Sequence, residues 1–123
     1  MVVGICRVVL ALPGNDSLKG KRSVVRSILE RARTRFHAAA AEVADMDVHR
    51  RATLGFTIVS NDARHVQSIL DKLIGFVAGA TEAQLIDQSC RIEHYDDLSG
   101  LASAGTSWDA DDDWDDDGDD EED

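Results

Sequence analysis

The sequence predicts an α+β fold in which two helices cover one face of a four-stranded antiparallel sheet. Several segments alternate apolar and polar residues as strands do, and two others repeat apolar residues at helical spacing. The two helical patterns superpose at an offset of 41 residues, so that Ile28 and Leu29 match Ile69 and Leu70. Residues 1–95 therefore consist of two halves, each in the order strand, helix, strand. This βαββαβ order is that of the ferredoxin-like fold, in which right-handed crossovers put both helices on the same face.

The first half begins with a strand at residues 2–12, which is rich in β-branched residues and apolar on both faces. We expect a central strand rather than a signal peptide, because Arg7 interrupts the apolar run and no small-residue cleavage site follows it. After a turn, an amphipathic helix is predicted from Ser17, as its N-cap, to Phe36. Gly20 stands where a capping box has Glu or Gln, and we expect it to weaken the first turn by up to ~1 kcal/mol relative to Ala.

The second half repeats the pattern after an ambiguous connection. Residues 38–44 fit both a helical extension and a strand, and we favour a strand because the next segment needs a partner. Residues 51–60 alternate clearly as a strand. Asp62 lies in the stop signal that precedes the second helix, and Gly79 suits the end of that helix. The last strand is predicted at residues 84–95.

Charge divides the chain into two parts. Residues 1–95 contain all 13 Lys and Arg and 10 of the 24 Asp and Glu, which gives a net charge of +3. Residues 96–123 contain 14 acidic residues and no basic ones. Self-repulsion and the lack of apolar periodicity predict a disordered acidic tail there, attached to one folded domain at residues 1–95.

The composition also bears on the cellular compartment. Cys6 and Cys90 are the only cysteines, they lie far apart, and they lack metal-ligand spacing. We expect two buried, reduced thiols, with a disulfide as the alternative. No apolar run reaches the ~18 residues that a membrane-spanning helix requires. The sequence therefore predicts a cytoplasmic protein that does not contact the membrane.

Four separated segments of the chain contain short motifs: Met1-Val2-Val3-Gly4, Ser17-Leu18-Lys19 with Lys21-Arg22, Ala41-Glu42-Val43, and Val59-Ser60-Asn61-Asp62-Ala63-Arg64-His65-Val66. Together they resemble the motifs of the small bacterial YlxP-like proteins, a family of unknown function. The resemblance covers about residues 1–95 and implies a ferredoxin-like fold, although Gly20 replaces the usual Glu. Because the family's genes often lie beside those for translation initiation and ribosome maturation, it also implies a role linked to the ribosome or to RNA. It implies no catalytic residues.

Basic residues form the candidate RNA-binding site, because Lys and Arg supply the sequence-independent part of nucleic-acid affinity. The candidates are Lys19, Lys21, Arg22, Arg26, Arg33, Arg50, Arg51 and Arg64. Several of these residues lie on the helix predicted from Ser17 to Phe36, which we call the basic helix. Only Asp16 and Glu30 are acidic in or beside it, so few local carboxylates neutralise its charge. A solvated helix surface and a protein-binding surface remain the alternatives. The favoured function is a non-enzymatic factor that binds RNA or a ribosomal subunit through the phosphate backbone.

The sheet face that the helices leave open favours a different function. Its predicted residues include Ile5, Val9 and Val59 but no aromatic residue, whereas Phe56 alternates onto the core face. Base stacking on this face is therefore not expected. An aliphatic open face suits cover by another protein or by a second copy of the chain, and a homodimeric protein-interaction module is the alternative function.

Other polar clusters are assigned structural roles. Asp45, Asp47 and His49 alternate in a connection, but oxygen-ligand metal sites normally need more donors. Asp62 and His65 are explained by a helix cap and the first helical turn. The sequence contains no signature of a nucleophile or oxyanion hole, so we expect no enzyme, metal or cofactor.

The acidic tail has two interpretations. It is either a solubilising extension or an intramolecular mimic of nucleic acid that competes for the basic helix. In the second case, Trp108 and Trp114 would serve as apolar anchors.

Overall fold

The structure, a computed structural model, describes residues 1–97. The predicted α+β ferredoxin-like order is confirmed, with two helices and a four-stranded antiparallel sheet. The elements are β1 (Val2–Ala11), α1 (Leu18–Phe36), β2 (Ala39–Ala44), β3 (Arg51–Ser60), α2 (Ala63–Ala78) and β4 (Gln84–His94). The acidic tail is predicted at residues 96–123, and its residues 98–123 lie outside the described part of the chain.

The sheet has the strand order β2-β3-β1-β4, and all neighbouring strands are antiparallel. The two central strands pair along their whole length, from Val2 opposite Ser60 to Ala11 opposite Arg51. β1 is therefore the central strand that its apolar faces predicted. The ambiguous segment is a strand, β2, and it forms one edge of the sheet beside β3.

The core lies between the sheet and the two helices. Val8 and Leu54, on the core-facing side of the central strands, are completely buried, and so are Ile28 of α1 and Leu73 of α2. Burial of each such side chain contributes about 1.5–3 kcal/mol, and this apolar contact holds the helices on one face. Within residues 1–97, neither helix is both long enough and apolar enough to span a bilayer.

Both helices begin at the predicted caps. Ser17 Oγ accepts a hydrogen bond from the Gly20 N–H at 3.0 Å, and Asp62 Oδ1 accepts one from the Arg64 N–H at 3.0 Å. Each cap satisfies a backbone donor that the first helical turn leaves free.

Gly20 has a packing role that the sequence did not reveal. A Cβ atom at this position would clash with Asn15 Oδ1. The Asn15 side chain is fixed there, because its Nδ2 donates to Ser17 O at 2.7 Å and to His49 O at 2.5 Å. Asn15 thus joins the loop before α1 to the connection before β3, and Gly20 leaves room for it.

The expectation of two buried, reduced thiols is wrong, because a disulfide joins Cys6 to Cys90. The two residues lie directly opposite each other on β1 and β4, with their Cα atoms 4.2 Å apart. Cys6 is buried, whereas Cys90 is exposed because β4 is an edge strand. Their separation along the chain concealed a pairing that the sheet register creates.

Candidate nucleic-acid interface

Four of the predicted site residues form an exposed row on α1, which we call the basic flank. The row consists of Lys19, Arg22, Arg26 and Arg33. Spacings of three, four and seven residues keep these side chains on one side of the helix. The row spans about 21 Å, from the rise of 1.5 Å per residue in an α-helix. The sequence prediction of a shared side holds for all four residues.

The charges of the basic flank are not neutralised by ion pairs. Within residues 1–97, the ion pairs involve other residues, and none includes a member of the flank. Arg33 Nη2 donates a hydrogen bond to Ala40 O at 2.6 Å, which fixes this guanidinium against edge strand β2 without removing its charge. The flank is therefore a cationic surface that is open to an anionic partner.

Lys21 does not belong to this surface, because its side chain is buried beneath the β2–β3 connection. Its ammonium group donates to the backbone oxygens of Asp45, Met46 and Val48, the last at 2.8 Å. It also lies 2.8 Å from Glu42 Oε2. The prediction of an RNA contact at Lys21 is therefore wrong, since helical position alone does not show that a turn covers the residue.

The Lys21 site also explains the role of Asp45 in the β2–β3 connection. Asp45 adopts a left-handed backbone conformation with φ of 61°, and its Oδ2 accepts a hydrogen bond from Thr53 Oγ1 at 2.7 Å. Asp45 thus shapes the turn whose carbonyl groups surround the ammonium group. No cluster of three or more metal-ligating side chains occurs among the described residues.

The remaining candidates divide between the two ends of the sheet. Arg50 Nε donates to Asn15 O at 3.0 Å, which places Arg50 beside the loop that leads into α1. Arg51 is next to it at the start of β3 and is exposed. Arg64 comes just after the opposite end of β3. The two ends of this ten-residue strand are about 30 Å apart, from a rise of about 3.3 Å per residue. Arg50 and Arg51 can therefore extend the basic flank, whereas Arg64 lies apart from them.

The open sheet face contains a shallow apolar depression of about 440 Å³. Ile5, Val43 and Thr57 contribute to its lining, together with small residues such as Ala41 and Gly55. Ile5 and Val43 are exposed. The small side chains of the neighbouring strands create the depression, and the predicted aliphatic character of this face is confirmed.

A third surface, which we call the interhelical cleft, lies where the end of α1 meets α2. Its volume is about 660 Å³. Its lining includes Arg35, Phe36, His37, His65, Lys72 and Phe76. No acidic side chain is among the described residues that line it. The cleft thus combines aromatic rings with basic side chains.

The aromatic rings of the cleft are coupled to arginine side chains. The ring centroids of Phe36 and Phe76 are 5.7 Å apart at an interplanar angle of 57°. The guanidinium of Arg35 lies 5.6 Å from the first centroid and 5.7 Å from the second. Arg31 lies over Phe76 at 5.4 Å. These cation–π contacts hold the guanidinium groups in place at the helix surface.

Comparison with known proteins places the chain in a family. Residues 3–90 match the family described as "Protein of unknown function (DUF503)". The chain is a member of this DUF503 family. It is also 28% identical over 68 residues to "Uncharacterized protein YlxP" from Bacillus subtilis (strain 168), a match that covers 55% of this chain and 74% of that protein. The resemblance to YlxP-like proteins is thereby confirmed.

The DUF503 match contains both cationic surfaces, since it extends from β1 into β4. The sequence located the basic flank but missed the cleft. A signal was present on α2, where His65, Ile69, Lys72 and Phe76 are spaced by four, three and four residues and so share one side of the helix. The sequence does not show where α1 lies relative to α2. It therefore could not show that Phe36 of α1 packs beside this basic and aromatic side of α2.

Proposed function

We propose that this DUF503 protein is a non-enzymatic cytoplasmic factor that binds RNA or a ribosomal subunit through the phosphate backbone. The observation that carries the proposal is the basic flank, a row of four exposed cations without ion-pair partners within residues 1–97. Glu30 is the one acidic residue of α1 and lies four residues after Arg26 and three before Arg33, so four cations face a single carboxylate on this side of the helix. Arg50 and Arg51 extend the same cationic surface toward the start of β3.

Binding of this kind depends on charge and shape rather than on base sequence. Each phosphate that Lys or Arg neutralises releases condensed counterions, so affinity falls as the salt concentration rises. The flank lies on one rigid helix, and Arg33 is also tied to β2. The helix therefore fixes the backbone positions of the row, and the Arg33 guanidinium is also held in place before the partner arrives, which lowers the entropy lost on binding.

Sedimentation of a cell extract at low and high salt tests the proposal. We expect the protein to migrate with ribosomal subunits or other RNA at low salt and to be released at high salt. Substitution of Lys19, Arg22 and Arg26 by Glu should abolish this association. If association survives the triple charge reversal, the basic flank is not the binding element.

A quantitative test uses the salt dependence of binding to a duplex RNA. Replacing Arg22 and Arg26 by Gln should lower the slope of log K against log salt concentration by about 2. The matched control replaces Arg7 and Arg91 by Gln, which removes the same charge from exposed positions on other elements. An equal loss of affinity in both variants would show a diffuse charge effect and would contradict a site at the flank.

The apolar depression on the open sheet face supports a second candidate, a homodimeric protein-interaction module. Ile5, Val43 and Val59 are 40%, 49% and 64% exposed, and aliphatic residues clustered in this way suit a covering surface. Under this proposal, Ile5→Asp should convert a salt-insensitive dimer to a monomer in analytical ultracentrifugation. A wild-type monomer at high protein concentration would exclude this function.

A further inference from the structure

We propose that the interhelical cleft binds one unpaired nucleotide of an RNA strand. The base would stack at the Arg35, Phe36 and Phe76 cluster, and Lys72, with His65 two turns earlier on the same side of α2, would hold the adjoining phosphate. This inference rests on the proposed function, because it takes RNA to be the partner. It adds a single-stranded site to the backbone contacts of the basic flank.

The first argument is the stacking surface. Phe36 and Phe76 are only partly buried, and the exposed Arg35 side chain reaches both rings. Unpaired bases stack on aromatic rings and on the planes of Arg guanidinium groups. Because the Arg35 guanidinium contacts both rings, it is held in place before a base arrives.

The second argument is the distribution of charge. Arg35, His37, His65 and Lys72 surround the aromatic rings and are exposed. No carboxylate among the described residues of the lining competes with an incoming anion. A ligand that fits this pattern is both planar and anionic, and a nucleotide is both. A duplex offers phosphates to the cleft but keeps its bases stacked inside, so an unpaired nucleotide fits better.

The third argument is the size and position of the cleft. A volume of about 660 Å³ falls in the range of small-ligand sites. The cleft and the basic flank both belong to α1, but Arg31 and Arg35 point toward α2, whereas Arg33 reaches β2. One RNA could therefore place a backbone on the flank and an unpaired end in the cleft.

The test compares two fluorescently labelled RNA hairpins, one blunt and one with a single-stranded 3′ extension of six nucleotides. In fluorescence anisotropy at low salt, we expect the wild-type protein to bind the extended hairpin about tenfold more tightly. Phe76→Leu and Lys72→Gln should remove this preference and leave binding to the blunt hairpin unchanged. The matched control is Arg31→Gln, which removes a guanidinium from Phe76 outside the cleft and should keep the preference.

The outcomes separate this inference from the proposed function. Equal binding of both hairpins by the wild-type protein would overturn the cleft site and leave the basic flank as the RNA-binding element. Failure to bind either hairpin would overturn the proposed function. In that case AMP added to ¹⁵N-labelled protein still tests the cleft, and unchanged amide signals at Arg35, Phe36 and Phe76 would overturn it as well. Because Lys72 is exposed, Lys72→Gln remains informative even if Phe76→Leu disturbs folding.

Discussion

The ammonium group of Lys21 lies 2.8 Å from Glu42 Oε2, which pairs a buried lysine of α1 with edge strand β2. The same ammonium group donates to carbonyl oxygens of the turn that follows β2, those of Asp45, Met46 and Val48. The Glu42 carboxylate is the counter-charge of this buried ammonium group. This lysine therefore connects helix, strand and turn, and it belongs to the folding of the domain rather than to its cationic surface.

Lys21→Met should destabilise the fold by about 3 kcal/mol, because removal of one partner leaves a largely buried carboxylate without its counter-charge. The turn carbonyls would lose their donor in the same variant. The control is Lys19→Met, which makes the same change two residues away at an exposed site, where effects stay within about 0.5 kcal/mol. Urea denaturation measures both values. Equal stability of the two variants would contradict the structural role of Lys21.

Gly20→Ala should fail to stabilise the protein even though Ala favours helices by up to ~1 kcal/mol. The new methyl group would displace the Asn15 side chain from its bonds to Ser17 O and His49 O. In an Asn15→Ala background that clash is absent and only the tight contact with Ser17 Oγ at 3.2 Å remains, so there Gly20→Ala should be less destabilising than in the wild-type protein. A double-mutant cycle in urea measures the coupling between the two sites. Additive effects would mean that the two side chains do not compete for the same space.

Reduction of the Cys6–Cys90 disulfide should lower the free energy of unfolding by about 2–4 kcal/mol, because the bond closes a loop of 84 residues. Thermal denaturation with and without reductant, and of Cys90→Ala, measures this effect. An identical transition in all three samples would show that the bond does not contribute. Disulfides are uncommon in the reducing cytosol, so the redox state of the pair in cells also tests the cytoplasmic assignment.

Much of the fold follows from local patterns. Alternation in β1 and β3 identified the central strands, and Ser17 and Asp62 identified the helix starts. These signals are local because strand pleat, helical period and capping involve residues close in sequence. β2 required an argument from topology, since its four consecutive alanines suit a helix as well as an edge strand.

The site was less predictable, because burial depends on distant segments. Lys21 and Lys19 look alike on a helical wheel, but only Lys21 meets the turn at Asp45. Cys6 and Cys90 likewise meet through the register of β1 and β4. The basic flank was found because exposure and spacing within one helix suffice to define it.

Truncation after Asp97 tests the proposed competition between the acidic tail and RNA. If residues 98–123 mimic nucleic acid, their removal should raise affinity for duplex RNA at low salt, and the gain should shrink as salt screens the charges. The truncation also removes Trp108 and Trp114. Their role as apolar anchors is therefore tested separately, by replacing both with Ala in the full-length chain. Unchanged RNA affinity at low salt after truncation would contradict competition.

The Cys6–Cys90 bond makes most of the folded chain a covalent ring. Both helices lie inside this ring, whereas the segment that follows His94 lies outside it. A protease that cuts the β2–β3 connection would leave two pieces that migrate as one band until a reductant is added. A cut in the acidic segment would release a fragment in either redox state. Limited proteolysis on paired gels can therefore distinguish loss of the acidic segment from an internal nick.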